Sequence, residues 1–108
     1  MIEVSKKRDL ESHLQNNSRV LALFYASWCP YCRIFLPVFD RNSSKRSFNL
    51  VLRVRVDDYD NPLWNEYSIG AVPTVLLFDM EKVCRRLDGT FGFGLNEKQL
   101  KELLEEET

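Results

Sequence analysis

The pattern of apolar and polar residues along this chain predicts alternating strands and helices. Two runs, 20–26 and 75–78, are continuously apolar, which is typical of strands covered on both faces. Residues 50–56 alternate between apolar and polar, which predicts a strand with one buried face. Three further segments have the spacing of amphipathic helices: 9–17, 30–41 and 96–106. This order predicts an α/β fold, with a central mixed sheet flanked by helices on both faces.

Shorter elements fill the gaps between these segments. Ile2 and Val4 alternate with polar residues and predict a short edge strand. A turn over 57–62 opens a short helix, and residues 83–87 pair back against the strand that precedes them. Because there is no repeat, linker or low-complexity segment, we expect one domain over residues 1–108.

Composition and charge narrow the function classes. The 108 residues include 15 Lys and Arg against 16 Asp and Glu, a formal net charge of −1. This balance gives no excess of positive charge that would bind nucleic acid or an anionic membrane. The start of the chain lacks an apolar signal-peptide core, and no run reaches transmembrane length. Three cysteines fit a reducing compartment, so we expect a cytoplasmic protein.

The strongest chemical signal is Trp28-Cys29-Pro30-Tyr31-Cys32, which follows the first apolar run directly. A strand leading through C-x-x-C into a helix places the first cysteine where unpaired N–H groups and the helix dipole favour an anion. Since the thiolate is the nucleophile, Cys29 is the better attacker. Cys32 lies one turn further on the same face and can form a disulfide with Cys29.

A lone C-x-x-C can also be half of a zinc site, which needs a second pair of ligands. Only Cys84 and His13 remain, and they are far apart in sequence, so a redox dithiol is the favoured interpretation and no metal site is predicted. We expect His13 at the surface or boundary of its helix. Cys84 is predicted to be a small buried residue in the hairpin strand.

Taken together, these motifs make the chain resemble the thioredoxin-fold family over nearly its whole length. The strand, aromatic residue and dithiol occupy 24–32, and Gly70-Ala71-Val72-Pro73-Thr74 is similar to the cis-proline loop that faces the dithiol in that family. A hairpin ending in Gly89 then precedes the terminal helix. The resemblance implies the thioredoxin fold and a cis bond at Pro73, which local sequence alone would favour in only about 5–6% of cases.

The resemblance also implies the roles of the site residues. Cys29 would attack a substrate disulfide, and Cys32 would resolve the mixed disulfide. An extended substrate segment would pair with the backbone of Val72 in a strand-like manner. The apolar rim that accepts this segment is expected to consist of Trp28, Tyr31, Val72, Pro73 and Gly89.

Two departures from the family pattern bear on the chemistry. Thioredoxins commonly carry a buried carboxylate six residues before the first cysteine, and this chain has Leu23 there. Asp57 and Asp58 are weak candidates to replace that carboxylate. Pro30-Tyr31 stands where thioredoxins have Gly-Pro and matches glutaredoxins instead. This pair therefore predicts that the Cys29–Cys32 couple has a higher reduction potential than thioredoxin, which lies at about −270 mV. The expected shift is towards the glutaredoxin range of roughly −200 to −230 mV.

The leading hypothesis is a monomeric thiol–disulfide oxidoreductase that reduces disulfide-containing proteins. No cofactor-binding feature is present, so electrons would come from a reductase or from glutathione. A glutathione-dependent reductase is the alternative, although Ser27-Trp28 and the absence of Gly-Gly after the proline loop fit it poorly. A [2Fe–2S] carrier is disfavoured by Pro30. Two intact cysteines argue against a non-catalytic interaction module.

Overall fold

The computed structural model describes residues 2–105, and its elements follow the predicted order. Within these residues the chain forms β1 (Ile2–Val4), α1 (Lys7–Asn16), β2 (Arg19–Tyr25), α2 (Pro30–Ser43), β3 (Leu50–Arg55), α3 (Leu63–Glu66), β4 (Thr74–Asp79), β5 (Lys82–Leu87) and α4 (Glu97–Glu105). The longest of these helices, α2, has 14 residues. Across 2–105, no helix combines the length and apolar character needed to cross a membrane.

The strands form one mixed sheet, as the element order predicted, and their order in it is β1-β3-β2-β4-β5. The central strand β2 runs parallel to β3 and antiparallel to β4, while β1 and β5 are the edges. Every residue from Val20 to Phe24 is fully buried, because strands cover both edges of β2 and helices flank the sheet. The continuous apolar run therefore marks the middle of the molecule.

Helix α2 extends two residues beyond the predicted end at Arg41. The cause is a contact with α4. Asn42 is buried and its Nδ2 donates both to the carbonyl oxygen of Val38 and to Oε2 of Glu97, each at 2.8 Å. This hydrogen bond, followed by one from Arg41, lowers the pKa of Glu97 to about 2.

The expected burial of Cys84 is wrong. Val83 and Cys84 are consecutive in β5 and both are exposed, so neither face of the strand is covered at this point. An edge strand lacks the second neighbour that buries β2, and the sequence pattern of a short strand does not reveal this. His13 is half-buried on α1, which confirms the prediction of a boundary position.

Helix α4 begins with a reciprocal pair of capping hydrogen bonds, and substitution of Asn96 measures how much this cap contributes to the stability of the protein. Asn96 Oδ1 accepts from the Gln99 N–H, and Gln99 Oε1 accepts from the Asn96 N–H, both at 2.9 Å. Asn96→Ala should lower the free energy of unfolding by about 1 kcal/mol, measured by urea denaturation. Lys98→Ala, which removes an exposed side chain from the same helix, is the control. Equal free energies of unfolding for Asn96→Ala and Lys98→Ala would show that the Asn96 cap does not stabilise the protein.

Candidate active site

The end of β2 and the start of α2 bring the two cysteines of the motif together. Cys29 is the N-cap residue of α2, and Pro30 is its first helical residue. The backbone N–H of Cys32 donates to Cys29 Sγ at 3.2 Å, and neither cysteine is in a disulfide. A sulfur that accepts a hydrogen bond at the start of a helix is placed where negative charge is stabilised. The sequence-predicted pair therefore has the arrangement of a reduced dithiol.

The loop before β4 faces this dithiol. The Val72–Pro73 peptide bond is cis, as the resemblance implied. The Cys29 thiol donates to the carbonyl oxygen of Val72 at an Sγ–O distance of 3.6 Å. On the other side of the loop, Thr74 Oγ1 donates to the Ala71 carbonyl at 2.7 Å and accepts from the Gly89 N–H at 3.2 Å. Residues from three separate parts of the sequence thus meet beside Cys29.

The two cysteines differ in their surroundings. Cys32 is fully buried, and burial raises the pKa of its thiol far above the ordinary value, with a smaller contribution from its hydrogen bond with Cys29. Cys32 is therefore a neutral thiol near neutral pH. Leu23 is also fully buried, in the position where the resemblance led us to look for a carboxylate. Deprotonation of Cys32 must use another acceptor.

Asp57 ties the loop before Cys29 to the end of β3. Its carboxylate accepts from Ser27 Oγ at 2.6 Å and from the Ser27 N–H at 2.7 Å, and Trp28 Nε1 donates to its carbonyl oxygen at 2.8 Å. The hydrogen bond from the Ser27 hydroxyl lowers the pKa of Asp57, so the carboxylate stays ionised. Its charge in turn contributes to the raised pKa of Cys32. Asp57 is thus engaged in holding the motif in place, and Asp58 accepts instead from the Asp60 N–H.

A groove of about 330 Å³ opens beside Cys29. Of the expected rim residues, Trp28, Tyr31 and Val72 line it, and the two aromatic residues are 44% and 41% exposed. Pro73 and Gly89 do not line this groove. A Cβ added to Gly89 would lie 2.1 Å from the Pro73 carbonyl oxygen, so Gly89 lets the two backbones meet. These two residues shape the loop that supports the rim.

Sequence reasoning missed three aromatic residues that line the groove: Tyr59, Trp64 and Phe91. The ring of Tyr59 lies between those of Trp28 and Trp64, with centroid distances of 5.4 and 5.0 Å. An aromatic residue inside a turn made of Asp, Asn and Pro was the available signal for Tyr59. Within residues 2–105, no group of three or more His, Cys, Asp or Glu side chains is arranged to hold a metal ion.

Comparisons with known proteins agree with this geometry. A family model described as Thioredoxin matches residues 1–106. The thioredoxin of Mycoplasmoides gallisepticum is 34% identical over 104 residues, which is 96% of this chain and 99% of that protein. The thioredoxin of Buchnera aphidicola is 32% identical over 107 residues, covering 98% and 94% of the two chains. A solved mutant thioredoxin from Halobacterium salinarum superposes with a TM-score of 0.77 at 27% identity, covering 97% and 88%.

The raised pKa of Cys32 predicts a pH-dependent reactivity. A raised pKa favours the neutral thiol, so the thiolate fraction grows about tenfold per pH unit throughout the range below that pKa. In the reduced protein, alkylation of Cys32 by iodoacetamide, followed by peptide mass spectrometry, should keep rising with pH in this way. Cys32 in the urea-unfolded protein is the control. A folded-state rate that levels off near about pH 8.5, as for an ordinary cysteine, would contradict the prediction.

Proposed function

The chain belongs to the thioredoxin family and is a protein-disulfide oxidoreductase, and from this we propose that Cys29 and Cys32 carry its reaction. The observation that supports the assignment most directly is the hydrogen bond from the Cys32 N–H to Cys29 Sγ at the start of α2. It stabilises negative charge on the sulfur that is to attack. The Val72 carbonyl lies on the other side of the same sulfur.

The proposed reaction has two exchange steps. The Cys29 thiolate attacks one sulfur of the substrate disulfide; the other sulfur leaves with the electron pair of the broken bond and takes up a proton. Cys32 then loses its proton and attacks Cys29 Sγ, which releases the second substrate thiol and leaves a Cys29–Cys32 disulfide. Two electrons have passed to the substrate, and a partner reductant must return them. Burial of Cys32 makes its loss of a proton the demanding part of the second step.

The Val72 carbonyl has a distinct part in substrate binding. In the reduced protein it accepts from the Cys29 thiol. Once Cys29 is in a mixed disulfide, this donor no longer exists, and the carbonyl can accept an N–H of an extended substrate segment. Trp28 and Tyr31 form the apolar sides of the groove, while Pro73 and Gly89 hold the loop in position. The donor is likewise absent once Cys29 has lost its proton to become the attacking thiolate, so the carbonyl is available to the substrate both before and after the substrate is attached.

Disulfide-containing proteins are the substrates that the thioredoxin family acts on, and we propose the same for this chain as a single domain over residues 1–108. We propose a cytoplasmic location, because the cysteine usage of the chain suits a reducing compartment. We also propose that the protein acts as a monomer. Its electrons come from a thioredoxin-reductase-type flavoenzyme or from glutathione. The comparisons give the glutathione-dependent and [2Fe–2S] alternatives no better support, since the Mycoplasmoides gallisepticum and Buchnera aphidicola relatives are thioredoxins.

The roles of the two cysteines can be separated by substitution. With insulin as the disulfide substrate and dithiothreitol as the reductant, Cys29→Ser should lower the rate of reduction to the uncatalysed background. Cys32→Ser retains the attacking sulfur, so when it is reduced beforehand and incubated with insulin in the absence of dithiothreitol, it should accumulate a mixed disulfide between Cys29 and insulin, detected by mass spectrometry. Cys84→Ser, in an exposed position of β5, is the matched control and should keep the wild-type rate. Catalysis that survives Cys29→Ser would overturn the assignment.

Pro30-Tyr31 should make the Cys29–Cys32 couple more oxidising than thioredoxin. We expect a reduction potential between about −270 and −200 mV, measured by equilibration against glutathione and dithiothreitol buffers. The double variant Pro30→Gly, Tyr31→Pro restores the Gly-Pro pair of thioredoxins and should move the potential towards about −270 mV. If both proteins have the same potential, the two residues between the cysteines do not set it.

A further inference from the structure

Phe91 is an apolar side chain held almost wholly in solvent. It is 91% exposed, and it lies in the loop 88–94 beside an apolar groove. Single exposed apolar residues are common on protein surfaces. Phe91 differs because it lines the groove that contains Cys29, on the wall contributed by the loop after β5.

The loop that carries Phe91 is fixed to the active-site motif. The backbone N–H groups of Phe93 and Gly94 both donate to the Thr90 carbonyl at 3.0 Å, which closes a tight turn. The Tyr31 hydroxyl donates to the Gly92 carbonyl at 2.7 Å. Gly94 has φ +68, and a Cβ added to it would lie 2.8 Å from the Cβ of Tyr31. The turn therefore rests on Tyr31, one of the two residues between the cysteines, and this fixes the turn that carries Phe91 relative to Cys29.

The groove offers no charged group to a substrate. Among the described residues, no Asp, Glu, Lys, Arg or His side chain lines it. The rings of Trp28, Tyr59 and Trp64, which contact one another at a tilt, contribute to its lining along with Phe91. A charged side chain placed here would lose water without meeting an opposite charge, and an amide would exchange water for a mainly apolar lining, whereas an apolar side chain would gain contacts and leave water.

We propose that Phe91 is a specificity-determining residue, which contacts the side chain next to the reactive cysteine of a substrate and favours apolar side chains there. This inference rests on the proposed function, because it requires the substrate disulfide to reach Cys29 through this groove. Phe93 provides an internal comparison. It belongs to the same turn and is 80% exposed, but it does not line the groove.

The test uses two synthetic peptides, each with one internal disulfide, which differ only in the residue beside one cysteine: leucine in one and the similarly shaped asparagine in the other. Their reduction is followed by chromatography with dithiothreitol as the reductant, and Cys29→Ser supplies the background. The quantity measured is the ratio of kcat/KM for the leucine peptide to that for the asparagine peptide. It is determined for the wild-type protein, Phe91→Ala and Phe93→Ala.

The wild-type protein should favour the leucine peptide, and Phe91→Ala should lower this ratio roughly fivefold, chiefly through KM. Phe93→Ala should keep the wild-type ratio. Equal ratios in all three proteins, or the same fall in both variants, would overturn the proposal while leaving the proposed function intact. If the wild-type protein reduces neither peptide faster than Cys29→Ser, the proposed function itself fails, and the role of Phe91 fails with it.

Discussion

The antiparallel register between β2 and β4 determines where the site lies. It places Phe24 opposite Thr74, so the residues that follow β2 lie alongside those that precede β4. The dithiol comes directly after the first strand and the cis-proline loop directly before the second. A slip of one residue would turn every side chain of β2 to the other face of the sheet, and because both faces are buried it would break the close packing of each of these side chains with its neighbours. The contact between Cys29 and Val72 thus depends on packing throughout the core.

Both cysteines are buried, but they occupy different positions on α2. Cys29 is at the first turn of α2, where a backbone N–H reaches its sulfur. Cys32 is one turn deeper, with its side chain against the core, and burial raises its pKa. Leu23 keeps β2 entirely apolar, whereas a carboxylate there would need a partner that the strand does not supply. The chain therefore retains a well-packed central strand and depends on an acceptor outside it for the proton of Cys32.

The parts of the structure that could be predicted are those specified by local pattern. The continuous apolar run of β2, the dithiol at a helix start and the cap at Asn96 each follow from a few neighbouring residues. The extension of α2 could not be predicted, because Asn42 is held by Glu97, which is 55 positions away in sequence. The exposure of Cys84 and the presence of Tyr59 in the groove also depend on which elements become neighbours. These features depend on the topology of the fold, and the hydrophobic periodicity of a single segment does not reveal which elements become neighbours.

The groove residues that sequence reasoning missed share one property, which is that they lie outside the long strands and helices. Tyr59 follows β3, Trp64 is in the four-residue helix α3, and Phe91 lies in the turn after β5. The sheet fixes the dithiol and the cis-proline loop, so changes in these connecting segments leave the distance between Cys29 and Val72 in place. They alter the surface that a substrate meets before it reaches the sulfur. Reactivity in this chain is thus a property of the core, while the choice of substrate can vary with the segments that connect the strands and the longer helices.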